Sequence, residues 1–196
     1  MDDKFDRLNT MTKFQNKYRI ESARLKGWDY STPWWYFITI NAKDHICYFG
    51  EIKGGEMILN DIGRIIEEEW LKTAGIRTNI NLDKHVVMPN HFHGIITIKG
   101  PDVETHRVRL QAHPEETNKE NPDTITEVER IVKNDLGNII KGFKSAATRR
   151  IWEAGNKSFA WQPRFYDRII RNENELYFTR KYIARQAAIK NVQCTM

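Results

Sequence analysis

His91-Phe92-His93 opens a run, His91-Phe92-His93-Gly94-Ile95-Ile96-Thr97-Ile98, that reads as a β-strand from its β-branched content. Side chains two apart on a strand leave the same face. The two imidazoles therefore stand side by side, while Phe92, Ile96 and Ile98 turn the other way, into a core. A pair of neutral imidazoles is half a site for a divalent metal. Taken alone, a His-x-His of this kind is also compatible with two ordinary histidines, because short motifs recur by chance. The reading depends on what else the chain supplies.

A second pair lies near the C-terminus. Asn172, with Glu175 in the capping-box position, opens a last helix that is expected to run to about Lys190. Tyr182 and Gln186 are four residues apart on it, so they share a face. The Gln186 carbonyl is an acceptable ligand for Mg²⁺ or Mn²⁺ and would sit beside the Tyr182 hydroxyl. Two imidazoles and one amide oxygen leave open positions, so a metal held there could polarise and orient a phosphate oxygen. A tyrosine hydroxyl alongside is a candidate covalent nucleophile. Ile183 and Ala187, with Phe178 or Thr179 a turn earlier, would face the sheet.

The elements that must position these pairs follow from hydrophobic period and turn chemistry. Residues 34–41 (Trp-Trp-Tyr-Phe-Ile-Thr-Ile-Asn) read as a strand. Residues 46–52 and 56–59 flank Lys53-Gly54-Gly55 as a hairpin. Asn60 or Asp61 caps a helix carrying Ile62, Ile65, Ile66 and Trp70, which is expected to stop at Gly75. Residues 86–88 form a short strand, and Pro89-Asn90 bends it just before the histidines. Residues 100–123 are polar and proline-interrupted and read as a long mobile loop, in which His106 and His113 are ordinary loop residues.

A capping box at Thr126-Glu127-Val128-Glu129 is expected to start a helix reaching about Ile151, with Val128, Val132, Leu136, Ile140, Phe143 and Ala147 buried. A second stripe on it, Lys141, Lys144, Ser145, Thr148 and Arg149, is basic and hydroxylic: either a solvated face or a phosphate track. Residues 159–164 suggest a short edge strand or extended loop. The element order predicts an α+β fold, a ferredoxin-like antiparallel sheet with helices packed on one face and the C-terminal helix carrying Tyr182. The expected organisation is an arm over residues 1–30, a single domain over 31–190 and a tail over 191–196.

Composition agrees with a globular protein: 40% apolar residues, with nine Phe, seven Tyr and six Trp in 196 residues. The net charge of +5 is unevenly spread. Residues 124–190 hold 14 Lys and Arg against 7 Asp and Glu, a net of +7 that leaves −2 for the rest. One basic half is the pattern expected where a face meets a polyanion. No apolar run approaches a membrane span and no signal pattern opens the chain, so a cytoplasmic, nucleoid-associated protein is expected. Cys47 and Cys194 lie far apart and suggest no disulfide framework, with both thiols reduced.

Together these stretches resemble the single-tyrosine HUH transposases, and within them the REP-associated tyrosine transposases of bacteria. The likeness runs from Arg24-Leu25-Lys26-Gly27-Trp28-Asp29-Tyr30 to Tyr182. It includes Phe49-Gly50-Glu51-Ile52, Val86-Val87-Met88-Pro89-Asn90-His91-Phe92-His93-Gly94, Ile140-Lys141-Gly142-Phe143-Lys144-Ser145 and Trp161-Gln162-Pro163-Arg164-Phe165-Tyr166-Asp167-Arg168-Ile169-Ile170-Arg171-Asn172-Glu173. Its most specific parts are Met-Pro-Asn-His-x-His and Tyr-Asp-x-Ile-Ile-Arg-Asn.

The resemblance implies that Tyr182 is the nucleophile and that His91 and His93 are metal ligands, with Gln186 in the place of the polar third ligand. The substrate it implies is single-stranded or hairpin DNA with REP-like palindromes, cut and rejoined through a 5′-phosphotyrosine with Mg²⁺ or Mn²⁺, by a monomer or homodimer. REP-associated relatives usually read Tyr-Ile-x-x-Asn-Pro where this chain reads Tyr-Ile-Ala-Arg-Gln-Ala, so its third ligand resembles the insertion-sequence branch. The basic stripe from Lys141 to Arg149 would then hold the DNA backbone, with Arg164, Arg168 and Arg171 as further candidates. Trp34 and Trp35 could stack on bases or pack in the core. The competing readings are a domesticated, non-catalytic hairpin-binding protein on the same fold and a metal-dependent hydrolase of small phosphate esters.

Overall fold

The computed structural model describes residues 13–14, 17–18, 24–100 and 135–186. The expected loop beyond Gly100, the capping box at Thr126, Val128, Val132, Ala187 and the tail lie outside them. Two short strands, β1 (Lys13–Phe14) and β2 (Lys17–Tyr18), pair with each other. The main sheet is built from β3 (Trp35–Asn41), β6 (Ile80–Val87), β7 (His91–Ile98) and β8 (Tyr166–Ile169). Its spatial order is β6-β7-β3-β8, with every neighbouring pair antiparallel. Helix α1 (Asp61–Ile76) joins β3 to β6, and α2 (Leu136–Glu153) stands between β7 and β8. This is the ferredoxin-like βαββαβ order. A hairpin, β4 (Gly50–Lys53) with β5 (Glu56–Leu59), is inserted before α1. Helix α3 (Glu173–Gln186) follows β8.

Local chemistry explains most boundaries. Gly54 and Gly55 both have positive φ, at 62° and 88°, as a two-residue hairpin turn demands. The Asn60 side chain accepts from the Gly63 amide at 3.0 Å and caps α1. That helix continues to Ile76, one residue past the glycine expected to stop it. The helix bearing the basic stripe starts at Leu136, because Asp135 is extended and its carboxylate accepts from the Asn138 amide at 2.8 Å. At α3, Asn172 Oδ1 accepts from the Glu175 amide (2.9 Å), and Glu175 reaches back to the Arg171 amide (2.7 Å).

The sheet has two covered faces. Tyr36, Ile38 and Ile40 of β3 and Phe92, Ile96 and Ile98 of β7 are buried against Ile62, Ile66 and Trp70 of α1 and Ile139, Ile140 and Phe143 of α2. Gly94 belongs to this face: a Cβ there would come within 2.8 Å of the Trp70 ring. On the other face Ile95 packs with Val86, Met88, Ile170, Leu176 and Ile183. The expectation of helices on one face therefore holds for α1 and α2 and is corrected for α3, which lies across the opposite face. Leu176, Thr179 and Ile183 form its buried stripe, and Phe178 is exposed. Arg180 ties it to β6 through Asp83 at 2.8 Å.

Three further expectations meet different outcomes. Residues 24–30 pack on the domain, with Arg24 paired to Asp167 at 3.4 Å and Trp28 Nε1 donating to Tyr36 at 3.1 Å. Trp34 is buried and donates to the Ile170 carbonyl at 2.8 Å, so it serves packing, and Trp35 is packed between the two clusters. Cys47 is disulfide-bonded, where a reduced thiol is expected.

Candidate active site

The odd-numbered residues of β7 point away from α1 and α2 and towards α3, and this places both histidines beneath the last helix. Their ring centroids are 4.7 Å apart. His93 is buried, and its Nδ1 lies 2.8 Å from the hydroxyl of Thr39, its partner in the β3–β7 register. His91 is oriented by Asn90, whose Nδ2 donates to the His45 carbonyl at 3.2 Å. The Asn90 Oδ1 then faces His91 Nδ1 at 2.7 Å and accepts its proton. This leaves the lone pair of His91 Nε2 available as a ligand.

Burial holds both rings neutral. It pushes the His91 imidazole down to about 4, with His45 adding a smaller repulsion. It pushes His93 down to about 3, with His91 contributing in the same direction and a bond to the Ile38 backbone opposing. Neutral imidazoles are the form that binds a metal.

Tyr182 completes the cluster. Its hydroxyl is 3.3 Å from His93 Nε2, and the side chain remains 43% exposed on the outer side. Phe37 stacks on His93 at 5.3 Å and meets Tyr182 edge-on at 6.0 Å, which fixes both rings. Gln186 is one turn further, the last residue of α3, and partly exposed. Among the described residues no three His, Cys, Asp or Glu side chains converge into a metal-binding group. Of the expected donor set, the structure brings the two neutral imidazoles together on one face.

The basic candidates divide between the two faces. Arg168, on β8 opposite Phe37, has its guanidinium 5.7 Å over that ring and donates to Thr179 Oγ1 at 3.0 Å, on the Tyr182 side. Arg171 is exposed just before α3. Lys141, Ser145 and Arg149 are exposed on α2, on the far side of the sheet. With Trp152 and Lys157, the second half of that stripe lines a cleft of about 540 Å³. Thr148 donates to the Lys144 carbonyl at 2.8 Å. Lys144 itself is turned inward: Nζ donates to the carbonyls of Gln162 (2.8 Å) and Arg164 (2.9 Å), and burial pushes it down to about 8. Arg164 is exposed and holds a positive φ of 67°.

No family model matches the chain. It is 31% identical over 168 residues to an uncharacterized protein of Haemophilus influenzae, across 83% of this chain and 84% of that one. The chain belongs to the family of that Haemophilus protein. The fold of this chain is similar to the solved structure of a REP-associated tyrosine transposase bound to a REP hairpin, with a TM-score of 0.51 and 18% identity over 87% of this chain and 77% of that one. At that identity the likeness is one of fold.

Sequence reasoning missed several members of this site: Thr39, Asn90, Phe37 and the turn at His45. Asn90 is visible beside the histidines but signals only a bend. Thr39 and Phe37 enter through the β3–β7 register, which one sequence does not print. Asp44 and His45 both adopt φ of 55°, a left-handed geometry that non-glycine residues seldom keep without a structural reason.

Proposed function

We propose that the protein is a metal-dependent single-stranded DNA endonuclease and strand transferase acting at DNA hairpins, a transposase-type enzyme of the bacterial cytoplasm. The observation that carries this reading is the meeting of the Tyr182 hydroxyl with His93 Nε2 at 3.3 Å, beside His91. His91, His93 and Gln186 would hold Mg²⁺ or Mn²⁺, which when bound supplies Lewis-acid polarisation of a non-bridging phosphate oxygen.

Tyr182 Oη attacks the scissile phosphorus in line as its proton passes to solvent on the exposed side of the ring. The new O–P bond replaces the bond to the 3′ oxygen, which leaves as a hydroxyl after taking a proton. The 5′-phosphotyrosine retains the ester, so a second 3′-hydroxyl can reverse the attack without ATP. Phe37 and Thr39 hold the reacting rings in place. The exposed cations of α2, with Arg164, Arg168 and Arg171, supply backbone contacts for the strand. The similarity of fold to a transposase bound to a REP hairpin supports a hairpin as the substrate.

The test is incubation of the purified protein with a labelled hairpin-bearing strand from beside its own gene, with Mn²⁺ or Mg²⁺, read on a denaturing gel. A covalent adduct that needs metal and is lost in Tyr182→Phe and His91→Ala is the expected result. Hairpin binding with no adduct on any such strand would favour the non-catalytic hairpin-binding reading. Turnover of small phosphate esters without an adduct would favour the hydrolase.

A further inference from the structure

We propose that the outer edge of β8 is a nucleotide subsite beside Tyr182, where an unpaired base stacks on Tyr166 and the adjoining phosphate is held by Arg168; this rests on the strand being single-stranded DNA, as proposed above. Register places the subsite. Thr39 of β3 lies opposite His93 on one side and opposite Tyr166 on the other, so His93, Thr39 and Tyr166 form one row across the sheet. Residues opposed in register share a face. With strands about 4.8 Å apart, Tyr166 stands roughly 10 Å from the histidine backbone. Among the described residues no further strand covers β8, and Tyr166 is 58% exposed. An exposed tyrosine at that place is an open stacking surface next to the reacting centre.

Arg168 is two residues on and leaves the same face. Its guanidinium lies over Phe37, the ring that stacks on His93, and one end is held by Thr179 at 3.0 Å. Thr179 is itself fixed, buried and donating to the Glu175 carbonyl at 2.7 Å. Arg24, Arg150 and Arg180 each pair with a carboxylate, whereas among the described residues none pairs with Arg168. A guanidinium positioned by neutral partners and left without a carboxylate is suited to a phosphate. The base on Tyr166 would then set where the strand turns towards Tyr182.

Binding of a fluorescein-labelled hairpin strand from beside the gene, and of oligo(dT), is measured by anisotropy on the Tyr182→Phe protein, which leaves the strand intact. A single abasic site is walked along the labelled strand. Tyr166→Ala should weaken binding about tenfold, and Tyr166→Phe should not. The Tyr166→Ala penalty should vanish when the abasic site occupies one position flanking the nick. Arg168→Ala should lower the slope of log affinity against log salt by about 0.7. An equal penalty at every abasic position, or none at all, overturns the subsite. Adduct formation by the Tyr182 protein is scored separately. An adduct with Tyr166→Ala indifferent rejects the subsite alone, no adduct with the abasic pattern intact rejects strand transfer alone, and no binding rejects both.

Discussion

The Tyr182 hydroxyl and His93 Nε2 lie 3.3 Å apart although 89 residues separate them in the chain. One comes from a helix on the histidine face, the other from a central strand, and Phe37 touches both rings. The tyrosine is 43% exposed, while the His93 imidazole beside it is buried.

Because Tyr182 is 43% exposed and packs mainly through its ring, Tyr182→Phe should leave stability within about 0.5 kcal/mol and hairpin binding intact while abolishing the adduct. Thermal unfolding and a denaturing gel read the two effects. Loss of binding together with the adduct would move the hydroxyl from chemistry to recognition.

Asn90 is 4% exposed and bridges His91 to the His45 carbonyl. Asn90→Ala frees the ring and strips an oriented acceptor from Nδ1, so Mn²⁺ affinity should fall about 10–100-fold. Titration calorimetry measures it, and nitrogen NMR of His91 reports the tautomer. Unchanged affinity with an unchanged tautomer would show that Asn90 only shapes the turn.

Lys144 and Arg149, five residues apart on one stripe, should part company. Lys144→Met removes bonds to two carbonyls and should cost about 1–3 kcal/mol of stability with little change in the salt slope of DNA binding. Arg149→Ala, at an exposed position, should leave stability alone and lower that slope by about 0.7–0.9. Denaturant melts and binding at several salt concentrations decide it. The reverse pattern would return Lys144 to the phosphate track.

Metal-free protein should lose stability in acid. His91 and His93 are held at about 4 and about 3, below their ordinary value near 6.5, so the unfolded chain binds more protons between those limits. Their contribution is present above pH about 6.5 and is lost as pH falls through 4 and 3, a few kcal/mol per ring in order of magnitude. Chelator-treated protein melted from pH 7 to 4 should show a falling Tm. Exchanging both histidines for Gln should flatten that trend, and an unflattened trend would place the acid sensitivity elsewhere.

Local order is legible in the amino-acid sequence. The alternation along 91–98, the helical spacing of Ile62, Ile66 and Trp70, the Gly54-Gly55 turn and the Asn172/Glu175 cap are short-range patterns that backbone geometry imposes on adjacent residues. The two chemical pairs are legible in the same way, because spacings of two on a strand and four on a helix need no tertiary knowledge. The strand at Tyr166–Ile169 is not, since its four residues expose polar groups at an edge and carry little hydrophobic period.

What folding alone decided is which face each element shows to which neighbour. Opposite side chains on β7 look identical in period, yet one set meets α1 and α2 and the other meets α3, so the C-terminal helix lies over the histidines instead of beside its two companions. The β3 register put Thr39 and Phe37 against His93, and tertiary packing likewise turned Lys144 from a surface cation into a strut. Residue types and local spacing are properties of the chain. Register and packing are settled by which apolar surfaces can be buried together, and that competition involves the whole molecule at once.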